Sequence, residues 1–551
     1  MNHRNTALAV IALSTGLTLA APARAQLAAY EGTDVFVSSS TYFDPNFSTG
    51  TLLPLGSATT GLSTNTLTTA ASAFCGNADC SLNVWNNSLK TTAGVPGSGA
   101  NDGNLGITSA ITISAVNTTT GLTDASVNVT SAAAALGISA VTSFSSKSEL
   151  ALNFTPDGQS LTFMAYNTPT LGALDVSNSN SFTGSEAGNT DIQTPTQRGV
   201  IQFNLSTNGV LQSLSGAYSG NNGRAVLLGS NGSYYAAGNA GNGNGSTAVT
   251  NGNGVQLIAP GENDTNVNAI GAYSIAQNGY TADKTSKDSN YRGLTVFNNT
   301  LYVTKGSGSN GIDTVYQVGT AGTLPTAGSG NSGTTTTPVS ILPGFSTTLA
   351  RATPTAAAPV YHPFGLFFAN ATTLYVTDEG SGSTNDFSTT PFEAGGLQKW
   401  SLVGGAWQLD YTLRGSLIGT AYTVNGADGP AGNLAGDSVT TMTDGLRNLT
   451  GRVNTDGTVT LFAITSTIGS TLGDAGADPN KLVAITDVLA DTQVSQVNGE
   501  DFTTLQTAAL GQVLRGVAVD PVPLPAGLPL LLSGLAALGA MGRSWRGYRR
   551  L

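Results

Sequence analysis

The chain has little charge, little histidine and almost no cysteine, and each shortage excludes a class of function. Charged residues make up 10% of the 551 positions, and there are two histidines and two cysteines. Only His362 lies beyond the N-terminal segment, so a histidine metal cage or a repeated histidine proton relay is excluded. Nucleophile-elbow, phosphate-loop and EF-hand patterns are absent. No constellation of catalytic residues is therefore visible.

Sustained helical periodicity is also missing, whereas glycine is abundant, with 70 residues. Such a composition is typical of many short strands joined by polar turns. The clearest strand pair lies in residues 362–380, HPFGLFFANATTLYVTDEG, where residues 365–368 and 373–377 flank a polar turn. Variants of this pair recur at a spacing of about seventy residues, in copies that begin at Glu149, Gly223, Tyr291 and Leu446.

This recurrence predicts an all-β fold, a β-propeller of six or seven four-stranded blades over residues 26–520. Residues 61–140 are either an insertion or a degenerate seventh blade. Residues 514–519 resemble an inner strand with no partner after it, and residues 33–37 resemble a second strand with none before it. We therefore expect the N- and C-terminal strands to pair and close the ring, which removes open sheet edges. Six inner-strand copies are marked by Glu149, Arg224, Arg292, Phe364, Arg447 and Arg515.

The N-terminus indicates export. Residues 1–25 combine Arg4, an apolar run and a small-residue end, which predicts a signal peptide cleaved between Ala25 and Gln26. Without this segment and the basic tail, the remaining 15 basic and 32 acidic residues leave a net charge of about -17. A surface so acidic argues against nucleic acid as a partner.

The two cysteines, Cys75 and Cys80, lie close together in a Gly-Asn loop. In an oxidising compartment such a pair is expected to form a local disulfide. Binding of a metal by the pair would require two further soft ligands, and the sequence offers none.

The C-terminal residues 521–551 have three parts in a fixed order. The motif Val522, Pro523, Leu524, Pro525 and Ala526 precedes the apolar run 528–541, and an arginine cluster follows. A short apolar segment stopped by basic residues predicts a marginal transmembrane anchor whose tail stays on the cytoplasmic side. The order of parts resembles a PEP-CTERM sorting signal of the VPLPA type. That resemblance implies a Gram-negative bacterium, an exosortase as processing partner, transient inner-membrane anchoring, and a final place at the outer surface or in a biofilm matrix. A plain single-pass anchor is the alternative.

The stretch at residues 362–380 resembles an NHL or YVTN propeller repeat, through its Pro-x-Gly start and its Leu-Tyr-Val-x-Asp second strand. This resemblance implies a binding platform and does not identify a ligand.

The candidate ligand-binding residues are those at the repeated inner-strand position, Glu149, Arg224, Arg292, Arg447 and Arg515. Side chains there would form a mostly cationic ring in the channel, suited to an anionic sugar or a carboxylate. The alternative is a structural role, in which each arginine bonds to the next blade. His362 is expected to be structural, with ligand contact or a general base as alternatives. Asp378 and Glu379 offer oxygen ligands for calcium, with further loop acids at Asp474, Asp478 and Asp501.

The functional expectation is a non-catalytic protein of the cell surface or extracellular matrix that binds exopolysaccharide or another surface polymer. One alternative is a secreted propeller enzyme of the lyase, lactonase or phosphoesterase type. A purely structural matrix protein is the other. No cofactor is required by any residue pattern, with calcium left open.

Overall fold

The structure of the protein is a computed structural model. It describes residues 34–41, 108–143, 148–169, 171, 176–181, 195–241, 251–263, 269–281, 287–326, 337–390, 393–426, 438–469, 478–497 and 499–520, with isolated strand pieces at 52–53, 80–81, 89–92, 95–96, 100–102, 428–429 and 432–433.

The described strands form six antiparallel sheets arranged as a six-bladed β-propeller, as the repeats predict. We number the blades along the chain and call the first the closing blade. The strands of each blade are given from inner to outer. The closing blade contains Gln512–Val519, Asp34–Thr41, Thr108–Asn117 and Thr123–Asn128; the second blade contains Asn153–Phe154, Ser160–Tyr166, Arg198–Asn204 and Val210–Ser215; and the third blade contains Gly223–Leu228, Tyr234–Gly238, Val255–Ile258 and Ala269–Gly271. The fourth blade contains Leu294–Phe297, Thr300–Lys305, Thr314–Val318 and Val339–Ile341; the fifth blade contains Pro363–Asn370, Thr373–Asp378, Gly396–Val403 and Ala406–Leu413; and the sixth blade contains Ser438–Val453, Thr458–Ile468, Lys481–Val488 and Thr503–Thr507.

Short elements decorate this frame. Thr142–Ser143 adds to the closing blade, and Ala421–Asn425 pairs with the long inner strand of the sixth blade. Three small ribbons are Leu52–Leu53 with Cys80–Ser81, Leu89–Thr92 with Val95–Pro96 and Ala100–Asp102, and Asp428–Gly429 with Gly432–Asn433. The described helical segments are the α-helix Val129–Ala134 and the 3-10 turns Val176–Asn178, Ile275–Asn278, Lys287–Ser289 and Thr384–Phe387.

The ring is closed by the two ends of the propeller chain, as predicted. Asp34–Thr41 pairs with Gln512–Val519 on one side, with Val35 opposite Val519 and Val37 opposite Val517. On its other side the same strand pairs with Thr108–Asn117. Part of residues 61–140 therefore supplies the two outer strands of the closing blade, which thus combines both ends of the propeller.

Apolar side chains from facing blades fill the space between the sheets. Between the fourth and fifth blades, Phe297 stacks on Phe368 with 4.7 Å between ring centroids, and Phe345 stacks on Trp400 at 4.0 Å. Tyr375 and Leu446 belong to the cluster between the fifth and sixth blades. Strands covered on both faces in this way explain why the sequence shows continuous β-branched and aromatic runs.

A hydroxyl on the second strand joins neighbouring inner strands in three blades. Thr304 accepts from the N–H of Gly293 in its own blade (2.8 Å) and donates to Phe364 O of the next blade (2.6 Å). In the next blade, the hydroxyl of Thr377 accepts from the N–H of Gly365 and donates to Arg447 O. In the closing blade, the hydroxyl of Ser38 accepts from the N–H of Gly516 and donates to Leu150 O. Each glycine lets the backbones approach, because a Cβ there would lie 2.7 Å or less from a carbonyl oxygen of the next inner strand.

The antiparallel order divides the connections between two faces. The loops from second to third strand, and those leading into the next blade, lie where the inner strands begin; we call this side the loop face. The other connections lie on the opposite, turn face. In the fifth blade, for example, residues 379–390 lie on the loop face, whereas the short turns 371–372 and 404–405 lie on the turn face.

Candidate functional site

The repeated inner-strand residues meet where the channel opens on the loop face. We call this set the arginine layer; it comprises Glu149, Arg224, Arg292, Phe364, Arg447 and Arg515, one from each blade. Glu149, Arg224, Phe364, Arg447 and Arg515 are buried, and Arg292 is partly buried. In the ring, Glu149 and Phe364 come from opposite blades, as do the pairs Arg292 with Arg515 and Arg224 with Arg447.

A direct contact across the channel mouth supports this convergence. Arg292, from the fourth blade, donates from Nη1 to Ser148 Oγ of the second blade at 2.6 Å. Those two blades are not neighbours, so the arginine side chain reaches past the third blade. Burial lowers the pKa of the Arg292 guanidinium, and Arg447 of the sixth blade lowers it further, while Glu379 raises it. The guanidiniums therefore act on each other electrostatically.

Arg224 combines a structural contact with unused donor capacity. Its Nη1 donates to Tyr291 O at 2.8 Å and also to Asn290 Oδ1, both on the connection into the fourth blade. Its Nε is buried and has no hydrogen-bond partner. Burial and the nearby Arg292 charge lower the pKa of Arg224 well below its usual range. An anion bound at this position would give Nε an acceptor and would oppose the lowering of the Arg224 pKa.

Glu149 is held more firmly than the arginines. Its carboxylate accepts from Thr142 Oγ1 (2.7 Å), Tyr166 OH (2.7 Å), Asn222 Nδ2 (2.9 Å) and the N–H of Ser143 (3.1 Å). Burial raises the pKa of Glu149, although these donors and the charge of Arg515 oppose the rise. The carboxyl group of Glu149 is thus fixed in position at one side of the layer. Tyr166 escaped the sequence analysis because no other blade has a tyrosine at that position, and Asn222, although Asn290 is its counterpart before Arg292, shows its contact with Glu149 only in the folded ring.

A second carboxylate, Glu379, sits beside Arg447. Arg447 Nε donates to Glu379 Oε2 at 3.0 Å, and the two side chains are 8% and 13% exposed. Glu379 also interacts electrostatically with Arg292 and Arg224. Within the layer, four guanidiniums therefore face the two carboxylates of Glu149 and Glu379, while a third carboxylate, that of Asp313 beside His362, also acts on Arg292. The guanidiniums outnumber these carboxylates in a chain whose overall balance is strongly negative.

His362 borders the mouth between the fourth and fifth blades. Its Nδ1 lies 3.5 Å from Asp313 Oδ2 and 3.2 Å from Gly306 O. Burial opposes protonation, but the hydrogen bond that the imidazole donates to Asp313 and the charges of Asp378, Asp313 and Glu379 outweigh it and raise the pKa of His362 to about 9. At neutral pH the imidazole is therefore a cation, which does not suit a general base.

Buried carboxyls lie next to His362 in the fifth and sixth blades. Asp378 accepts from the N–H of Gly380 and from Gln398 Nε2, each at 3.0 Å, and burial raises its pKa to about 6. Burial and the neighbouring Asp386 raise the pKa of Asp444 well above its usual range. These acids brace the loop that carries Glu379, since Asp444 also accepts from the N–H of Gly382 at 3.0 Å.

The carboxylates proposed as calcium ligands accept hydrogen bonds from donors within the protein. Asp378 and Glu379 have the partners given above, Asp478 accepts from Thr441 Oγ1 at 2.9 Å, and Asp501 accepts from Ser416 Oγ at 2.6 Å. Asp474 lies outside the described residues. Among the residues that are described, no group of three or more His, Cys, Asp or Glu side chains is arranged to hold a metal ion. Calcium binding stays a prediction.

The other end of the channel holds a cavity of about 500 Å³. The cavity is lined by residues that follow the arginine layer along the chain in five of the six blades. Arg452 and Asp520 also line the cavity. The layer and the cavity are thus successive levels of one channel. The backbone contacts at Gly293, Gly365 and Gly516 lie between them and narrow the passage.

Several sequence predictions concern parts of the chain outside the described residues. These are the signal peptide 1–25, Cys75, and the sorting tail 521–551 with its apolar run 528–541. For Cys80 only the strand placement is described. Of the helices in the described part of the chain, none has the length and hydropathy needed to cross a membrane.

Comparison with known proteins gives little beyond the fold. No family model matches the chain, and no curated protein matches it. A structure from Thermus thermophilus, named as an oxidoreductase (glucose dehydrogenase), is similar with a TM-score of 0.28 and 15% identity, over 66% of this chain and 96% of that one. A Saccharomyces cerevisiae complex of Dbp5 with Nup159, Gle1, IP6 and ADP gives a TM-score of 0.21 and 9% identity, over 67% and 88%. Neither similarity is strong enough to support a functional argument.

Proposed function

We propose that this protein is an exported propeller of the cell surface or extracellular matrix that binds a carboxylate-bearing polysaccharide at the arginine layer without cleaving it. The observation that carries the proposal is the convergence of four arginines from four blades on one channel mouth, where they outnumber the two carboxylates. Guanidinium groups match carboxylates in shape and charge, and they bind more strongly where water is partly excluded.

The two faces of the propeller support the same assignment. The arginine layer opens on the loop face, which carries the long connections, and binding surfaces of scaffold proteins are usually built from such loops. Export, handling by an exosortase and transient anchoring in the inner membrane belong to this proposal through the signal peptide and the sorting tail of the sequence. Nucleic acid does not fit a surface with so many acidic residues.

The proposal is tested with the purified chain and polygalacturonate, a carboxylated polysaccharide, with neutral dextran as the matched polymer. We expect the wild type to co-sediment with polygalacturonate at low salt and to release it as ionic strength rises. We expect no co-sedimentation with dextran. Arg292→Gln should weaken binding about tenfold, since a partly desolvated charge-assisted contact contributes on the order of 1.5 kcal/mol. Arg452→Gln, at the far end of the channel, is the control and should bind normally.

The same tubes test the alternatives. Reducing or unsaturated sugar released during the incubation would overturn the non-catalytic assignment and favour the lyase or hydrolase alternative. Absence of binding to acidic and neutral polymers alike would leave the purely structural matrix protein.

A further inference from the structure

The carboxylate of Glu379 already occupies part of the arginine layer. It belongs to the loop that follows the second strand of the fifth blade, whereas its partner Arg447 belongs to the sixth blade. The two side chains are largely shielded from solvent, at 8% and 13% exposed. A ligand carboxylate that approached Arg447 from the loop face would therefore meet the carboxylate of Glu379.

The backbone of Glu379 is fixed, which leaves the side chain as the part that can move. Its N–H donates to His362 O at 3.0 Å, and its carbonyl accepts from Ser466 Oγ at 2.6 Å. The next residue, Gly380, has φ of 80° and donates its N–H to Asp378. A rotation of the Glu379 side chain would release Arg447 without a rearrangement of the loop, and the ion pair that is lost would be replaced by the pair of Arg447 with the ligand carboxylate.

The contrast with Glu149 is informative. Four neutral donors hold Glu149, so its carboxylate is part of the framework of the second blade. Glu379, by comparison, contacts the guanidinium of Arg447 and interacts electrostatically with Arg292 and Arg224. It therefore has the contacts that a bound carboxylate ligand would have.

We infer that Glu379 is an internal competitor, which fills the carboxylate subsite on Arg447 in the free protein and is displaced when a ligand carboxylate binds. This inference rests on the proposed function and adds the mechanism of binding to it. Because one carboxylate replaces another, a neutral sugar gains nothing at this subsite, and an acidic one must bind strongly enough to displace Glu379. The exchange selects ligands that carry several acidic groups, since additional carboxylates can contact Arg292 and Arg224.

Calorimetric titration of the full-length protein with trigalacturonate at low ionic strength tests the exchange. Glu379→Gln removes the competing charge and keeps the shape of the side chain, so we expect its Kd to fall about threefold to tenfold below that of the wild type. Glu262→Gln removes the same charge on the turn face and should leave the Kd unchanged. In an Arg447→Ala background, Glu379→Gln should give no gain, because the contested subsite is missing.

The outcomes separate the two ideas. Equal or weaker binding by Glu379→Gln, with a wild type that binds, overturns the exchange and leaves the proposed function intact. A gain that persists in the Arg447→Ala background also overturns it, since a general charge effect would then explain the gain. If neither the wild type nor Glu379→Gln binds trigalacturonate or polygalacturonate, the proposed function fails and the exchange fails with it.

Discussion

Arginine recurs at one position of the repeat in four blades, yet each copy described above has a different partner. Arg224 contacts a backbone carbonyl of the next blade, Arg292 reaches a serine two blades away, and Arg447 pairs with a glutamate. The position in the repeat fixes where each side chain starts. The loops of the neighbouring blades, which differ in sequence, decide where it ends.

His362 gives a prediction at the scale of a single residue. Its pKa is about 9 in the folded chain and about 6.5 when unfolded, so protonation stabilises the fold. The contribution is fully present below pH 6.5 and disappears as the pH rises through 9. We expect His362→Gln to lower the free energy of unfolding by roughly 1–3 kcal/mol at pH 6 and by little at pH 10. Urea unfolding of both proteins at the two pH values measures this.

The wild type alone would not isolate this effect, because Asp378 and Asp444 also have raised pKa values, so their contribution to stability also falls as the pH rises. The difference between the wild type and His362→Gln removes that shared contribution. A loss that is the same at pH 6 and pH 10 would mean that His362 stabilises the protein by packing and not by its charge.

At the scale of the strand, the hydroxyl of Thr304 explains a feature of the repeat. The motif Leu-Tyr-Val-Thr occurs at residues 301–304 and 374–377, and the threonine of each copy links two inner strands. The carbonyls that accept from Thr304 and Thr377 belong to Phe364 and Arg447, which are members of the arginine layer. The hydroxyl bridges therefore hold the backbone of the candidate site in place.

Thr304→Val should be destabilising because it leaves the N–H of Gly293 and the carbonyl of Phe364 buried without this partner. The expected loss is about 2 kcal/mol or more in the free energy of unfolding. Thr314→Val is the matched control: Thr314 is also buried, in the adjacent strand, and its hydroxyl makes no hydrogen bond. Urea midpoints of the two variants should differ clearly, and equal midpoints would contradict the role given to the bridge.

At the scale of the whole molecule, the closing blade ties the first propeller strand to the last. Asp34–Thr41 and Gln512–Val519 are separated by nearly the entire domain in sequence, and they pair along most of their lengths. Pairing of this kind completes the closing blade with strands from both ends of the propeller and couples the blades into one ring.

Removal of the last strand tests that coupling. A chain that ends at Leu510 loses Gln512–Val519 and exposes the edge of Asp34–Thr41 and its apolar neighbours. We expect it to bind a hydrophobic dye, to aggregate and to lose a single sharp unfolding transition. A chain that ends at Asp520 lacks the same tail but keeps the strand, and it should unfold cooperatively. Similar behaviour of the two chains would show that the closing pair is dispensable.

The sequence by itself determined the class of architecture, a propeller closed by its two ends, but left six or seven blades open. Strand pairs spaced at about seventy residues, a partnerless strand at each end and turn residues between them are local patterns, and a repeated local pattern specifies a repeated unit. It also marked the arginine positions, because equivalent residues in a repeat lie at one level of the ring.

Only the tertiary structure decided what those arginines contact. The reach of Arg292 to Ser148, the carboxylate of Glu379 beside Arg447 and the cradle of Glu149 depend on loops from different blades. Tyr166 has no counterpart in the other copies, and the contact of Asn222 with Glu149 depends on a neighbouring blade, so the repeat gave no signal for either contact. Long side chains from distant segments meet only after the ring has closed, and the packing of the blades, which no local pattern encodes, sets the distances between them.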